Sequence, residues 1–280
     1  MIGPQVPQVV KLGGREILPG PTLADVAARL AQSIRGGRPT IIVHGGGEEV
    51  SDRAAQLGLP TERRAGLRVT SEAMLEVVTE VLAGRVNVRL VRALEAAGAP
   101  SIGLTGVSDR LLAATPTGDP PGSLGRVGTP TAVNTRLLRG LLERGFTPVV
   151  APLGVDPEGN VLNLNADAAA GAIAGALSAD LVLVTDVPSV QDRAGARLSL
   201  LSISGATDLI ASGVARDGMG PKLTAACDAL GGGARSAWIG DARGIGPRGP
   251  PRVAGTRITV AARARAPSGP AETRLSGIGT

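Results

Sequence analysis

Two lysines are the residues of this chain best suited to handling a phosphate group. The 280 residues include 27 arginines but only two lysines, Lys11 and Lys222. Such a bias usually reflects genome composition, so a surviving lysine is either a chance survivor or a candidate for a position where a guanidinium does not serve. An ammonium is a compact, strongly hydrated charge with three donors. Lys11 lies in an apolar strand, and Lys222 lies at a helix start, where its charge opposes the helix dipole. Both places are unfavourable unless a bound anion shares the site.

Glycines cluster where the first two predicted strands end. Gly13 and Gly14 follow the first strand, and residues 45–47 (GGG) follow the second. Glycine there lets backbone N–H groups approach an anion, and in open α/β sheets the ligand crevice lies at the carboxyl ends of the strands. Taken alone, a glycine pair after a strand is more often an ordinary turn. Neither GxxxxGK[ST] nor GxGxxG is present, so the common nucleotide motifs are excluded.

Asp167 is the third candidate. It lies in the run 163–167 (NLNAD) before a predicted helix. The helix start alone would explain both residues, Asn165 as the N-cap and Asp167 as an acidic residue in the first turn. Beside two isolated lysines, however, Asp167 also offers one carboxylate that can hold both ammonium groups.

The elements that must position these residues alternate between strands and helices. Hydrophobic periodicity predicts strands over residues 8–12, 40–43, 101–104, 148–153, 161–164, 181–185, 237–240 and 257–260. It predicts helices over residues 22–34, 46–57, 70–98, 131–144, 166–179, 204–211 and 221–230. Alternation of this kind indicates an α/β fold with a mainly parallel central sheet and helices on both faces.

Composition excludes several classes of protein. One cysteine rules out an internal disulfide, one histidine rules out a His-rich metal site, and 1% aromatic residues disfavours base stacking. No apolar run is long enough for a membrane span, and the N-terminus has no signal-peptide pattern. We therefore expect a cytoplasmic protein with no membrane or nucleic-acid partner.

The net charge of +5 comes from the C-terminal end of the chain. Residues 234–280 contain eight arginines and two acids, whereas the rest is nearly neutral. A basic end rich in proline and glycine is more often solvated than functional. We expect residues 1–262 to form one domain and residues 263–280 to be a flexible basic tail that turnover does not require.

Six motifs, in this order and spacing, resemble the amino acid kinase family and, within it, the N-acetylglutamate kinases. They are residues 9–14 (VVKLGG), 44–47 (HGGG), 66–70 (GLRVT), 163–167 (NLNAD), 185–188 (TDVP) and 218–222 (GMGPK). The resemblance implies a three-layer αβα sandwich. It also implies transfer of the γ-phosphoryl group of ATP, with Mg²⁺, to the side-chain carboxylate of N-acetyl-L-glutamate in arginine biosynthesis.

The same resemblance implies a role for each site residue. Lys11 and Lys222 would stabilise the transferring phosphoryl group, and Asp167 would orient them. The N-terminal part would bind acetylglutamate through Gly46, Gly47, Arg68 and Asn163. The C-terminal part would bind ATP, with nucleotide contacts from Gly13, Gly14, Asp186, Gln191, Val214 and Arg216. No residue is assigned as a metal ligand. Independently of the resemblance, a carboxylate acceptor has a pKa near 4.3 and needs no general base, and Arg68 suits a two-bond grip on a substrate carboxylate.

Three alternatives stay open. One is the sister kinase that phosphorylates carrier-bound aminoadipate, another is a non-catalytic arginine-sensing module, and the least favoured is a nucleic-acid binder using the basic tail. The resemblance also implies a homodimer. Because the first strand begins near residue 8, no room is left for the N-terminal helix that links dimers of arginine-sensitive relatives, and we expect no inhibition by arginine.

Overall fold

The computed structural model describes residues 6–64, 66–216, 218–246 and 255–260. The strands are β1 Gln8–Leu12, β2 Thr40–His44, β3 Arg63–Arg64, β4 Leu67–Arg68, β5 Ser101–Thr105, β6 Leu112–Pro116, β7 Val127–Val133, β8 Thr147–Ala151, β9 Leu153–Val155, β10 Val161–Leu164, β11 Asp180–Val184, β12 Leu200–Ser202, β13 Ser236–Gly240 and β14 Thr256–Thr259. The α-helices are α1 Pro21–Arg35, α2 Gly47–Gln56, α3 Glu72–Thr79, α4 Asn87–Ala96, α5 Thr135–Glu143, α6 Ala166–Leu177, α7 Ile203–Ala211 and α8 Met219–Gly231. The predicted tail, residues 263–280, lies outside the described ranges.

Eight strands form the central sheet in the order β12-β14-β13-β11-β1-β2-β8-β5. Neighbours pair in parallel except β13 and β14, which run antiparallel. The predicted mainly parallel sheet is therefore confirmed. Parallel sheets are buried on both faces, and β1, β2 and β8 are buried at every position. None of the helices in the described ranges is long and apolar enough to cross a membrane.

Side-chain alternation along the strands divides the core into two layers. On β1, Val9 packs with α6 and α8, whereas Val10 packs with α1 and the α3–α4 region on the opposite face. This arrangement confirms the three-layer αβα sandwich. Because successive strand residues point to opposite faces, Lys11 shares the face of Val9 and is directed toward α6 and α8.

A second, smaller group of four strands differs from the prediction. Strands β10, β7, β6 and β9 close on one another beside the main sheet. The predicted helix over 131–144 is wrong at its start, because β7 continues to Val133 and pairs with β6, and α5 begins only at Thr135. The predicted strand over 148–153 is two strands, divided at Pro152, which has no N–H to give to a ladder.

The predicted helix over 70–98 is interrupted by a π-helical segment, Glu80–Val86, that joins α3 to α4. Asn87 follows this segment, and its amide donates to His44 Nε2 at 3.1 Å and to the Val149 carbonyl at 2.9 Å. His44 Nδ1 lies 2.9 Å from the Gly45 carbonyl, which can only accept, so Nδ1 carries a proton. Because Nε2 accepts from the Asn87 amide, the ring is neutral. The ring therefore ties the end of β2 to the helix packed beneath it.

The pH dependence of stability should report the burial of His44. Burial lowers the pKa of this fully buried ring from 6.5 to about 4. Between these values the unfolded chain binds more protons than the folded one, so stability attributable to His44 is lost as the pH falls from 6.5 toward 4. At pH 4.5 that loss amounts to about 2–3 kcal/mol.

We expect His44→Gln, which cannot titrate, to be less stable than wild type at pH 7.5, with the difference narrowing by about that amount at pH 4.5. Urea unfolding of both proteins across this range measures the difference directly, since shifts common to both cancel. Parallel pH profiles for the two proteins would contradict the assignment.

Candidate active site

Three predicted residues meet at the carboxyl end of β1. Lys11 Nζ lies 3.0 Å from Asp167 Oδ1, and Lys222 Nζ lies 3.3 Å from Asp167 Oδ2. Asp167 lies in the first turn of α6, where the Asn165 side chain caps the helix by accepting from two backbone N–H groups. One carboxylate therefore holds two ammonium groups that come from elements far apart in sequence.

The cluster is largely withdrawn from water. Burial alone would raise the pKa of Asp167, but the two ammonium groups outweigh it and hold the pKa below its usual value. Burial and the neighbouring Lys11 lower the pKa of Lys222. Within the cluster itself one carboxylate faces two cations, so the cluster carries a net positive charge, which a further anion would neutralise.

Two cavities adjoin this cluster, and Lys11 lines both. The first, of about 220 Å³, has Lys11, Asp167, Arg68, Asn163 and the 45–47 glycines in its wall. We call it the acceptor cavity because its wall contains the residues that the resemblance predicts to bind the acceptor. The second, of about 580 Å³, has Lys11 and Lys222 in its wall. We call it the nucleotide cavity because its wall contains residues that the resemblance predicts to contact the nucleotide. A reaction between occupants of the two cavities would therefore take place beside the lysine they share.

All four predicted acetylglutamate residues line the acceptor cavity. Arg68 is 7% exposed, and burial, together with Arg63, lowers its pKa. Within the described ranges Arg68 has no ion pair; instead its Nη2 donates to the Gly47 carbonyl and to Ser51 Oγ, each at 2.8 Å. Asn163 donates to Thr70 Oγ1 at 3.1 Å. A buried guanidinium without a carboxylate partner is typical of a site for an anionic ligand.

The structure brings four of the six predicted nucleotide residues together. Gly13, Gly14, Asp186 and Arg216 line the nucleotide cavity. The other two residues do not line it. Gln191 instead pairs with Arg197 in a short antiparallel bridge, and the backbone N–H of Val214 bonds to Leu209 at the end of α7.

Sequence reasoning missed several lining residues. Glu16 and Glu48 line the nucleotide cavity, and Arg63 lines the acceptor cavity. Burial raises the pKa of Glu16, whose side chain is almost inaccessible. The position of Glu16 two residues after the Gly13–Gly14 pair was a usable signal, whereas Arg63 was one of many arginines and gave none.

Gly46 is required by its backbone and by its neighbours. Its φ of 152° lies in a region that residues with a Cβ rarely adopt, and a Cβ there would approach Leu82 to 2.7 Å and Val86 to 3.2 Å. Both neighbours belong to the π-helical segment. The helix interruption and the glycine loop are therefore packed directly on each other in the wall of the acceptor cavity.

Fold and site together define an αβα-sandwich protein with two cavities that meet at a Lys–Asp–Lys cluster. Comparison with known proteins agrees. Residues 7–241 match the model of the amino acid kinase family, and the chain belongs to that family.

Similar proteins include acetylglutamate kinases. That of Rubrobacter xylanophilus is 45% identical over 226 residues, covering 80% of this chain and 85% of the relative. That of Oleidesulfovibrio alaskensis is 38% identical over 245 residues, covering 84% and 83%.

Solved structures share the fold. The structure of smu.665 from Streptococcus mutans has a TM-score of 0.79 at 31% identity and covers 91% of this chain and 98% of its own. The N-acetylglutamate synthase of Neisseria gonorrhoeae, complexed with coenzyme A and N-acetyl-glutamate, has a TM-score of 0.79 at 26% identity. It covers 92% of this chain and 60% of its own.

The packing of Gly46 predicts a large cost for a single methyl group. Gly46→Ala should lower the free energy of unfolding by about 2–4 kcal/mol, because it combines an unfavourable φ with a clash against well-packed side chains. Gly84→Ala is the matched control. Gly84 lies in the π-helical segment that packs on Gly46, and a Cβ at position 84 would meet no atom within 4 Å. That variant should be neutral or slightly more stable. Urea unfolding compares them; similar stability of the two variants would refute the packing argument.

Proposed function

We propose that the protein is an acetylglutamate kinase, which transfers the γ-phosphoryl group of ATP to the side-chain carboxylate of N-acetyl-L-glutamate. The observation that carries this proposal is that the acceptor and nucleotide cavities meet at Lys11, beside Asp167 and Lys222. The similarity to acetylglutamate kinases over more than four-fifths of the chain supports the choice of acceptor.

The residues present suit an acceptor that is already a nucleophile. A carboxylate is ionised at neutral pH and gives up no proton as it attacks. The single histidine, His44, is fully buried and held neutral, and it lines neither cavity. The reaction then needs positioning and positive charge rather than a general base.

The lysine pair supplies the positive charge at the point of transfer. Charge spreads over the transferring phosphoryl oxygens, and ammonium groups held in a partly dry site stabilise it strongly. Asp167 fixes both lysines, so little reorganisation is needed when the transition state forms. Because Lys11 folds back until its Nζ would lie 2.8 Å from a Cβ at position 13, Gly13 leaves the space this ammonium occupies.

Magnesium fits this site as a companion of ATP. Among the described residues no group of three or more Asp, Glu, His or Cys side chains could hold a metal ion. Mg²⁺ commonly binds through substrate phosphates, waters and one or two carboxylates. Glu16 and Asp186 are carboxylates of the nucleotide cavity that would serve. When bound, the ion supplies charge neutralisation of the phosphates.

A direct assay separates this function from its alternatives. ATP consumption should be measured with acetylglutamate, glutamate and carrier-linked aminoadipate as acceptors, and only acetylglutamate should support rapid turnover. Preference for the carrier-linked acceptor would favour the sister kinase. Arginine binding without any turnover would favour the arginine-sensing module. The complete Lys–Asp–Lys cluster argues against that module.

The two lysines provide the sharpest mutational test. Lys11→Arg and Lys222→Arg keep the charge, but a planar guanidinium is larger than an ammonium and cannot take its place beside Asp167. Loss of such a stabilising donor costs about 10²–10³ in turnover. We expect each variant to lower kcat at least about a hundredfold while the KM for acetylglutamate changes much less, because the interaction belongs to the transition state.

Arg68→Lys serves as the comparison and should chiefly raise the KM for acetylglutamate. Steady-state kinetics on all three variants, with folding checked by circular dichroism, gives the result. If either lysine variant keeps more than about a third of wild-type kcat, that lysine does not have this role.

The expected homodimer and cytoplasmic location also belong to this proposal. Within the described strands, β5 has a neighbour on one side only, so its free edge is available to a second copy of the chain. Light scattering measures the oligomeric state. A monomer at micromolar concentration would contradict the expectation.

A further inference from the structure

Arg63 and Arg68 face each other across a short hairpin at the mouth of the acceptor cavity. In the β3–β4 ladder Arg63 pairs directly with Arg68, and directly opposed residues project from the same face of an antiparallel pair. Both side chains line the acceptor cavity. Like charges placed opposite each other are destabilising, and neither arginine has an acidic partner among the described residues. An anion that binds between them would remove this penalty.

The two-bond grip on a carboxylate expected of Arg68 from the sequence is wrong for this arrangement, because Arg68 by itself cannot make two parallel hydrogen bonds to a carboxylate. Its Nη2 already donates to Gly47 and Ser51. A guanidinium can bind a carboxylate with two parallel hydrogen bonds through its Nε–Nη2 edge or its Nη1–Nη2 edge, because Cδ blocks the third edge. Both of these edges use Nη2. Only single bonds from Nε and Nη1 are then left for a ligand. A carboxylate with two oxygens then needs donors besides Arg68; Asn163 in the same wall is a neutral amide, so a further charge-assisted bond requires a second cationic donor.

Arg63 is placed to be that donor. Its Nη1 donates to the Gly66 carbonyl at 3.2 Å, which holds the head group over the cavity. Its Nη2 would lie 3.2 Å from a Cβ at position 47, so Gly47 leaves the room that the guanidinium occupies. The neighbouring Arg64, by contrast, pairs with Glu62 at 2.7 Å and lines neither cavity.

The substrate offers a carboxylate that needs such a partner. Acetylglutamate carries two carboxylates, and the one that attacks must lie beside Lys11, the residue shared with the nucleotide cavity. The cationic side chains that remain in the acceptor-cavity wall are Arg63 and Arg68. The geometry points to Arg63 as a substrate-binding residue that, together with Arg68, holds the α-carboxylate of the acyl amino acid and selects dianionic acceptors. This inference rests on the proposed function.

The test combines a variant with a modified substrate. Arg63→Gln should raise the KM for acetylglutamate about tenfold, the effect expected for one charge-assisted hydrogen bond, with kcat and the KM for ATP unchanged within twofold. The matched control, Arg64→Gln, removes the adjacent charge on the same hairpin and should change neither parameter. Arg63→Lys keeps the charge and should fall between wild type and Arg63→Gln.

The α-amide of N-acetyl-L-glutamate supplies the decisive comparison, because it keeps the attacking carboxylate and lacks the other. Wild type should use it with a raised KM, and Arg63→Gln should then add less than about a twofold further loss, because the group it recognises is already absent. An equal loss on both substrates, or the same result for Arg63→Gln and Arg64→Gln, overturns the proposal.

The possible failures are distinguishable. If wild type does not phosphorylate acetylglutamate, the proposed function fails and the role of Arg63 fails with it. If wild type is active and Arg63→Gln is indistinguishable from it, only the role of Arg63 fails. Calorimetric binding of acetylglutamate to each variant without ATP gives a second readout, in which affinity should fall in step with the rise in KM.

Discussion

The structure of this protein depends on one carboxylate that lies between two buried ammonium groups. Without Asp167, Lys11 and Lys222 would be two like charges in a partly dry site, and burial already lowers the pKa of Lys222. The carboxylate compensates for one positive charge and leaves the other for a ligand. Strand β1, helix α6 and helix α8 must converge for this to occur. The three-layer packing achieves this convergence by directing alternate residues of β1 toward those helices.

The acceptor cavity owes its shape to features that break regular structure. A π-helical segment presses Leu82 and Val86 against Gly46, and a neutral, buried His44 fixes the carbonyl of Gly45. Insertions of this type are often found at functional sites, where they redirect a helix face without ending the helix. The small group of four strands completes the wall with Asn163. The glycine loop in the cavity wall is thus packed directly against these neighbours.

Much of the site could be predicted from the sequence because the site uses lysine, a residue type that is rare in this chain. Lysine is so rare here that Lys11 and Lys222 stood out, and the structure places both on Asp167. The prediction was weaker where residue type carries no signal. Arg63 is one arginine among 27, and only its pairing with Arg68 reveals that it faces the cavity. Gln191 and Val214, which the resemblance assigned to nucleotide binding, do not line the nucleotide cavity.

Local pattern determined the alternation of strands and helices, the buried parallel sheet and the glycine loops at its carboxyl edge, because periodicity and glycine placement act over a few residues. Only the tertiary structure decided the rest. Residues 131–133 form a strand rather than a helix start because β6 is available to pair with them. The long helix contains a π-helical segment, and Leu82 and Val86 of that segment pack against Gly46 of the 45–47 loop. Partners distant in sequence make these choices, and no local pattern encodes where such partners will lie.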